Sequence, residues 1–327
     1  MLKLIRILGI IRRKGRNEHM NILVFGAGAV GAYFGGRMLE ANYSVSFFVR
    51  EKRAKQLKKE GLKLISPEGE FETKNVTLYT SEKEVKNIDL VILAVKGYHL
   101  DSVIPQLKLI TEQTGAFVLP LLNGFEHIDK LDQAVGKEKV LGGFAYIFAT
   151  LNQQGHVVHG GNSSSIKFGS RHESQMDVCN HLNSMNQHVK TNLLLDENII
   201  KEMWRKYLLI TAFSGITSAT QLPSGFTINS EATLNVFKNI LVEMSFIAKK
   251  EGVIFAEEEI AKIISSFKRY PENTTSSMHQ DLRKGLPIEV NHLQGGAVRY
   301  AQKHNITIPV VETIYGILKP YENGKPN

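Results

Sequence analysis

Apolar positions recur along this chain with two different periods, and the change between them divides the sequence. The run at 22–25 (ILVF) is uninterrupted; glycines follow, then helical spacing to about residue 40, then a β-rich stretch over 43–49. A continuous apolar run of four reads as a strand buried on both faces. Strand, glycine turn, helix and second strand within about 30 residues form a βαβ unit. Further apolar runs at 76–79, 90–95, 116–121 and 140–148 alternate with short helical or turn segments, which predicts a doubly wound parallel sheet. Two more β-like pieces, 156–159 and 165–168, flank Gly160-Gly161 and predict a hairpin.

Beyond about residue 196 the period becomes helical. Segments 197–219, 229–251, 257–268, 275–284, 288–304 and 310–321 all carry apolar residues at that spacing. Pro223 and Gly225 break the first, Asn229-Ser230 cap the second and Gly252 stops it, while Pro287 and Pro309 stand where they could open helices. The pattern therefore predicts an α/β domain over 20–194 followed by an all-α domain over 195–327.

Composition changes this picture little. Apolar residues at 43% and charged residues at 22% exclude a disordered or collagen-like chain, and a single cysteine, Cys179, excludes an intrachain disulfide or a cysteine-rich zinc module. The formal charge of +8 is more informative. It admits a nucleic acid, an anionic surface or an anionic small molecule as partner. Six of the 40 basic residues and one of the 32 acidic ones lie in 1–19, leaving only +3 for the remainder. That segment has an apolar run over 2–11 followed by Arg12, Arg13, Lys14 and Arg16. The run is too short to span a bilayer and lacks the order of a secretory signal, so 1–19 is expected to be a disordered extension. Basic residues elsewhere are scattered rather than gathered with aromatics on one element, so no nucleic-acid or membrane partner is expected, and a cytoplasmic location is.

The first glycine turn carries the chemistry. Gly26-Ala27-Gly28-Ala29-Val30-Gly31 follows a strand and opens a helix. In such a turn the first glycine permits the bend, the second lets the backbone approach a pyrophosphate, and the third allows helix and strand to pack closely; the pyrophosphate lies at the helix N-terminus. The N-terminal domain is thus expected to be a Rossmann-type dinucleotide-binding domain. Its second strand ends not in an acidic residue but at Arg50, followed by Glu51, Lys52 and Arg53. A guanidinium suits a 2′-phosphate, so the cofactor is expected to be NADPH/NADP+. Lys96 and Asn123 close later core strands, and strand C-termini in a doubly wound sheet face the ligand crevice.

The ordered set of motifs across both halves resembles the ketopantoate reductase (2-dehydropantoate 2-reductase) family from residue 20 to about 321. It comprises GAGAVG at 26–31, Arg50, AVK at 94–96, NG at 123–124, MWRK at 203–206, Ser276-Ser277-Met278 with Asp281, and Glu289 two residues before Asn291. The resemblance implies NADPH-dependent reduction of 2-dehydropantoate to pantoate, in pantothenate and coenzyme A biosynthesis. It also implies Lys206 as proton donor, Glu289 beside nicotinamide and substrate, and Asn123 and Ser277 as substrate contacts. An ammonium suits the role, because hydride addition to a ketone leaves an alkoxide that needs an acid within hydrogen-bond reach. A homodimer is compatible with the class.

The chain departs from the family where some members carry asparagines four and eight residues after the lysine: it has Ile210 and Ser214 there, and Ser224 in place of the asparagine of a P-N-G turn. Ser214 and Ser224 could bond a substrate at shorter reach; isoleucine cannot. The alternatives are therefore a variant ketopantoate reductase or a reductase of another branched 2-oxo acid, and, behind both, a non-catalytic NADP(H)-binding protein. Ser277, His279 and Asp281 do not make a hydrolase triad, since residues two apart on a helix do not face each other. His156-Val-Val-His159 lacks the glutamate and the helical spacing of a zinc motif, so no metal is expected.

Overall fold

A computed structural model describes residues 20–161 and 164–326; the expected extension over 1–19 lies outside the described residues. The chain runs β1 (Ile22–Phe25), α1 (Ala29–Glu40), β2 (Val45–Phe48), α2 (Glu51–Glu60), β3 (Leu62–Ile65), β4 (Phe71–Thr73), β5 (Thr77–Tyr79) and β6 (Leu90–Leu93). It continues through α3 (Leu100–Thr114), β7 (Phe117–Pro120), α4 (Glu126–Val135), β8 (Gly142–Tyr146), β9 (Ala149–Leu151), β10 (Val157–His159), β11 (Ser165–Gly169), α5 (Met176–Ser184) and β12 (Asn192–Leu195). The helical half holds α6 (Ile199–Thr220), α7 (Ser224–Ile228), α8 (Glu231–Lys250), α9 (Glu257–Phe267), α10 (Ser277–Arg283), α11 (Gln294–Lys303) and α12 (Pro309–Leu318).

The central sheet has the order β5-β2-β1-β6-β7, and every pairing in it is parallel. All four residues of β1, β2 and β6 are buried, which is why their sequence shows no alternation. The side chains nevertheless divide by face. Leu23, Phe25, Val91 and Leu93 join one core, and Ile22, Val24, Leu90 and Ile92 the other. The first core passes without interruption into the helical half, where Phe125, after β7, stacks on Trp204 of α6 with centroids 4.6 Å apart. That contact fixes the two halves against each other beside the strand C-termini. Among the described residues no helix is long and apolar enough to cross a membrane.

Three expectations fail. The run over 140–148 supplies β8, which stands outside the parallel sheet and pairs antiparallel with β11. The pieces expected to form a hairpin do not pair: β10 joins β3 and β9 in one small sheet, whereas β11 joins β8 and β12 in another. Alternation reveals a strand but not its partner, and the strands β3 and β12 that receive these two are only four residues long. The helix expected over 288–304 is also interrupted, into a tight turn Glu289–Asn291 and α11. Pro287 precedes that turn rather than opening a helix. Pro309 does sit at the opening of α12.

Candidate active site

The glycine turn is built as its spacing demands. Gly26 has φ +99°, and a Cβ there would lie 2.8 Å from the Ala94 carbonyl oxygen. At Gly31 a Cβ would come within 2.0 Å of the Gly26 oxygen and 3.0 Å of Val24 and Ala94 side-chain carbons, so α1 can sit on the sheet only if this residue is bare. Gly28 differs: a Cβ there would meet nothing within 4 Å. It is the N-cap of α1 and makes no side-chain cap bond, so the N–H groups of Ala29, Val30 and Gly31 open onto that space. Ala27 is buried beneath them. An open backbone cradle at a helix N-terminus fits the diphosphate of a dinucleotide.

Arg50 is the exposed N-cap of α2, at the end of β2, where its guanidinium is free to meet an anion. Arg53 plays a part that sequence reading missed. Its Nε donates to the Ala27 carbonyl at 2.9 Å and its Nη1 to Gln56 at 2.6 Å, lacing α2 to the glycine turn. Its Nη2 is buried without a protein partner.

At the other end of the crevice α6 delivers Lys206. The helix buries Met203, Trp204 and Tyr207, and a lysine flanked by these positions is carried inward with them. Its Nζ donates to Asn123 Oδ1 at 3.0 Å and to the Ala145 carbonyl at 2.9 Å, and it stands 5.2 Å from the centre of the Phe144 ring. Burial lowers the Lys206 ammonium from its ordinary 10.5 to about 8, against an opposing pull from the Glu289 carboxylate. A small cleft opens onto it, walled by Leu122, Asn123, Phe144, Met203 and Ile210.

Glu289 does not touch Lys206. Its Oε1 accepts from the Gly97 N–H at 2.9 Å and its Oε2 from Lys96 Nζ at 3.2 Å. Lys96 also donates to Asp281 at 2.8 Å. Burial alone would lower the Lys96 ammonium, but the carboxylates of Glu289 and Asp281 outweigh it and hold Lys96 firmly protonated. Burial likewise disfavours the Glu289 carboxylate, yet Lys96 and the Gly97 N–H bring it below its usual range. The site thus holds two lysines of opposite character, one neutralised by carboxylates and one cationic with only neutral hydrogen-bond partners.

Of the three serines expected to meet substrate, two bond backbone carbonyls and one is exposed. Ser214 donates to the Ile210 carbonyl of its own helix. Ser224 is fully buried and donates to the Pro271 carbonyl at 2.9 Å. Ser277 is exposed at the start of α10, while its neighbour Ser276 caps that helix and bonds Thr217. Short side chains in or beside a helix can bond nearby backbone, and the fold decides which carbonyls are in reach. Ile210 does line the cleft.

Residues 22–173 match the family described as ketopantoate reductase PanE/ApbA, and 198–322 match its C-terminal domain. The chain belongs to this family. A family relative, the uncharacterized oxidoreductase YkpB of Bacillus subtilis (strain 168), is 35% identical over 309 residues, covering 94% of this chain and all of the relative. The structure of a PanE/ApbA family ketopantoate reductase from Ralstonia eutropha JMP134 is similar at a TM-score of 0.80 and 25% identity, covering 93% of this chain and 98% of that one. The ternary structure of D-mandelate dehydrogenase with NADH and anilino(oxo)acetate has the same fold, with a TM-score of 0.84 at 23% identity over 93% of this chain and 98% of that one. As a member of the ketopantoate reductase family the protein is an oxidoreductase of the NAD(P)-dependent kind, in a family whose members act on small keto acids.

Proposed function

We propose that this protein reduces a 2-oxo acid to the 2-hydroxy acid with NADPH, 2-dehydropantoate being the substrate its family membership supports. The observation that carries the reading is Lys206, a buried ammonium near pH 8 that opens onto a cleft and is held by two neutral oxygens. Gly28, Ala29, Val30 and Gly31 would hold the diphosphate of the cofactor, and Arg50 its 2′-phosphate. When bound, a reduced nicotinamide supplies hydride to the keto carbon. Lys206 then transfers its proton to the oxygen that becomes the alcohol, and its charge stabilises that oxygen as negative charge develops on it. Asn123 and the Ala145 carbonyl fix the ammonium in place, so that its orientation costs nothing at the moment of reaction. Glu289 and Asp281 hold Lys96 at the crevice. The proton Lys206 loses is regained from solvent, which closes the balance: ketone, hydride and proton give alcohol.

Ile210 favours a second reading. A hydrocarbon stands in the cleft wall where some family members offer an amide, which suits a branched 2-oxo acid lacking a hydroxyl. The complex of D-mandelate dehydrogenase with an anilino(oxo)acetate gives that reading a precedent for that protein. Following NADPH absorbance with a panel of 2-oxo acids tests both. Turnover of 2-dehydropantoate in preference to its analogue without the hydroxyl supports the first reading, and the reverse preference supports the second. No turnover of any 2-oxo acid would sink both. We extend the reading to self-association, since Val242 and Phe246 stand exposed on one face of α8; sedimentation of the purified protein tests it.

A further inference from the structure

His292 follows the turn that carries Glu289, and its ring lies against two backbone turns of the other domain. A Cβ built at Gly97 would fall 2.4 Å from His292 Cγ and Cδ2, and those side-chain atoms with His292 Cβ are its nearest obstacles. A Cβ at Gly124 would lie 3.1 Å from the His292 carbonyl oxygen and 3.3 Å from Cδ2. Each of these glycines directly follows a polar residue of the site, Lys96 and Asn123. His292 therefore stands against both turns, the Lys96 turn through its imidazole and the Asn123 turn through its backbone carbonyl and the ring edge, while Glu289, three residues before it, accepts the Gly97 N–H. Behind it lies His127, fully buried, its ring centre 6.0 Å away and both ring nitrogens without a protein partner.

We infer that His292 is a positioning residue, a wedge that sets the Lys96 and Asn123 turns at a fixed spacing from Glu289 and, through Asn123, seats the Lys206 ammonium. The inference rests on the reading of Lys206 as proton donor. It explains why Gly97 is bare: its φ lies outside the left-handed region, so it is the imidazole, not the backbone, that excludes a side chain there. The wedge acts as a neutral group. Burial lowers the His292 imidazolium, with Lys130 and Arg299 working the same way and Glu289 and Glu126 opposing. His127 is lowered further by burial, then by His292, Lys206 and Arg171.

Two measurements test the wedge without turnover. The first follows Lys206 by its pH-dependent acetylation with trace acetic anhydride, read by mass spectrometry on its peptide. His292→Ala should free the Asn123 turn, let water reach Nζ, and move the titration up from about 8 by roughly one pH unit or more. A purely structural role would leave the midpoint unmoved. The second is a double-mutant cycle in thermal stability. Gly97→Ala should lower Tm by several degrees in the native background and by less than about a third of that beside His292→Ala, because the obstacle is then gone. If His292→Ala does not fold, His292→Asn replaces it in both. An unmoved Lys206 titration, or additive Tm losses, overturns the wedge. Turnover is scored separately on the 2-oxo acid panel: a protein that reduces none of them yet shows both shifts keeps the wedge and loses the proposed reaction.

Discussion

Lys206 Nζ and Asn123 Oδ1 meet at 3.0 Å across the boundary between the two halves of the chain, 83 positions apart in sequence. The amide oxygen is a neutral acceptor, so it holds the ammonium without fixing its charge as a carboxylate would. That leaves burial as the main influence on the lysine and places it near pH 8. Lys96, paired with two carboxylates, shows the opposite outcome.

Removing the ammonium should separate function from stability. Lys206→Met is expected to lower turnover by about 100-fold or more while NADPH affinity, read by fluorescence titration, stays within about threefold. The same change should raise the stability of the protein at pH 7. Holding a lysine at about 8 instead of 10.5 costs the folded state on the order of 3 kcal/mol, an upper bound because methionine also loses two hydrogen bonds. Full activity in this variant would remove Lys206 from the reaction.

The pH dependence follows from the same residue. Only protonated Lys206 can donate, so the reductive rate should fall as pH rises through about 8. Stability should move the other way. Between about 8 and 10.5 the unfolded chain holds the proton that the folded one has lost, so unfolding free energy rises with pH across this window. Asn123→Asp would place a carboxylate beside the ammonium and should carry the alkaline limb upward by about one unit or more. A limb that stays put in this variant contradicts the assignment.

Cofactor preference should reside at the end of β2. Arg50→Ala is expected to weaken NADPH binding by about 10- to 100-fold, the scale of one or two charge-assisted hydrogen bonds, and to leave NADH binding nearly unchanged. Equal losses for both cofactors in isothermal titration would mean that Arg50 does not read the 2′-phosphate.

Ile210 should set the choice of side chain in the substrate. Ile210→Asn restores an amide to the cleft wall and is expected to raise the ratio of kcat/KM for 2-dehydropantoate over its deoxy analogue by about 10-fold or more, the scale of one hydrogen bond to a hydroxyl. An unchanged ratio would show that this position does not face the side chain.

The elements that the sequence disclosed are those whose cause is local. The run 22–25, the glycines at 26, 28 and 31, and the Pro309 opening of α12 each follow from a backbone requirement or a burial period contained within a few residues. The strands β3 and β12 were hidden because each is only four residues long, and the sheet partner that makes each a strand lies far away in sequence. The hydroxyls of Ser214 and Ser224 each bond a backbone carbonyl, and only the fold determines which carbonyl is in reach.

By itself, then, the sequence determined a dinucleotide-binding half, a helical half, and a family whose motifs mark both lysines and Glu289. The tertiary structure decided what those groups do to one another. It directed Glu289 to Lys96 and the Gly97 N–H rather than to Lys206, buried Lys206 against two neutral oxygens, and wedged His292 under the turns on which Lys96 and Asn123 stand. Proton affinity depends on distance, solvent and partner. Those three quantities come into being only when segments remote in sequence close around a single buried site.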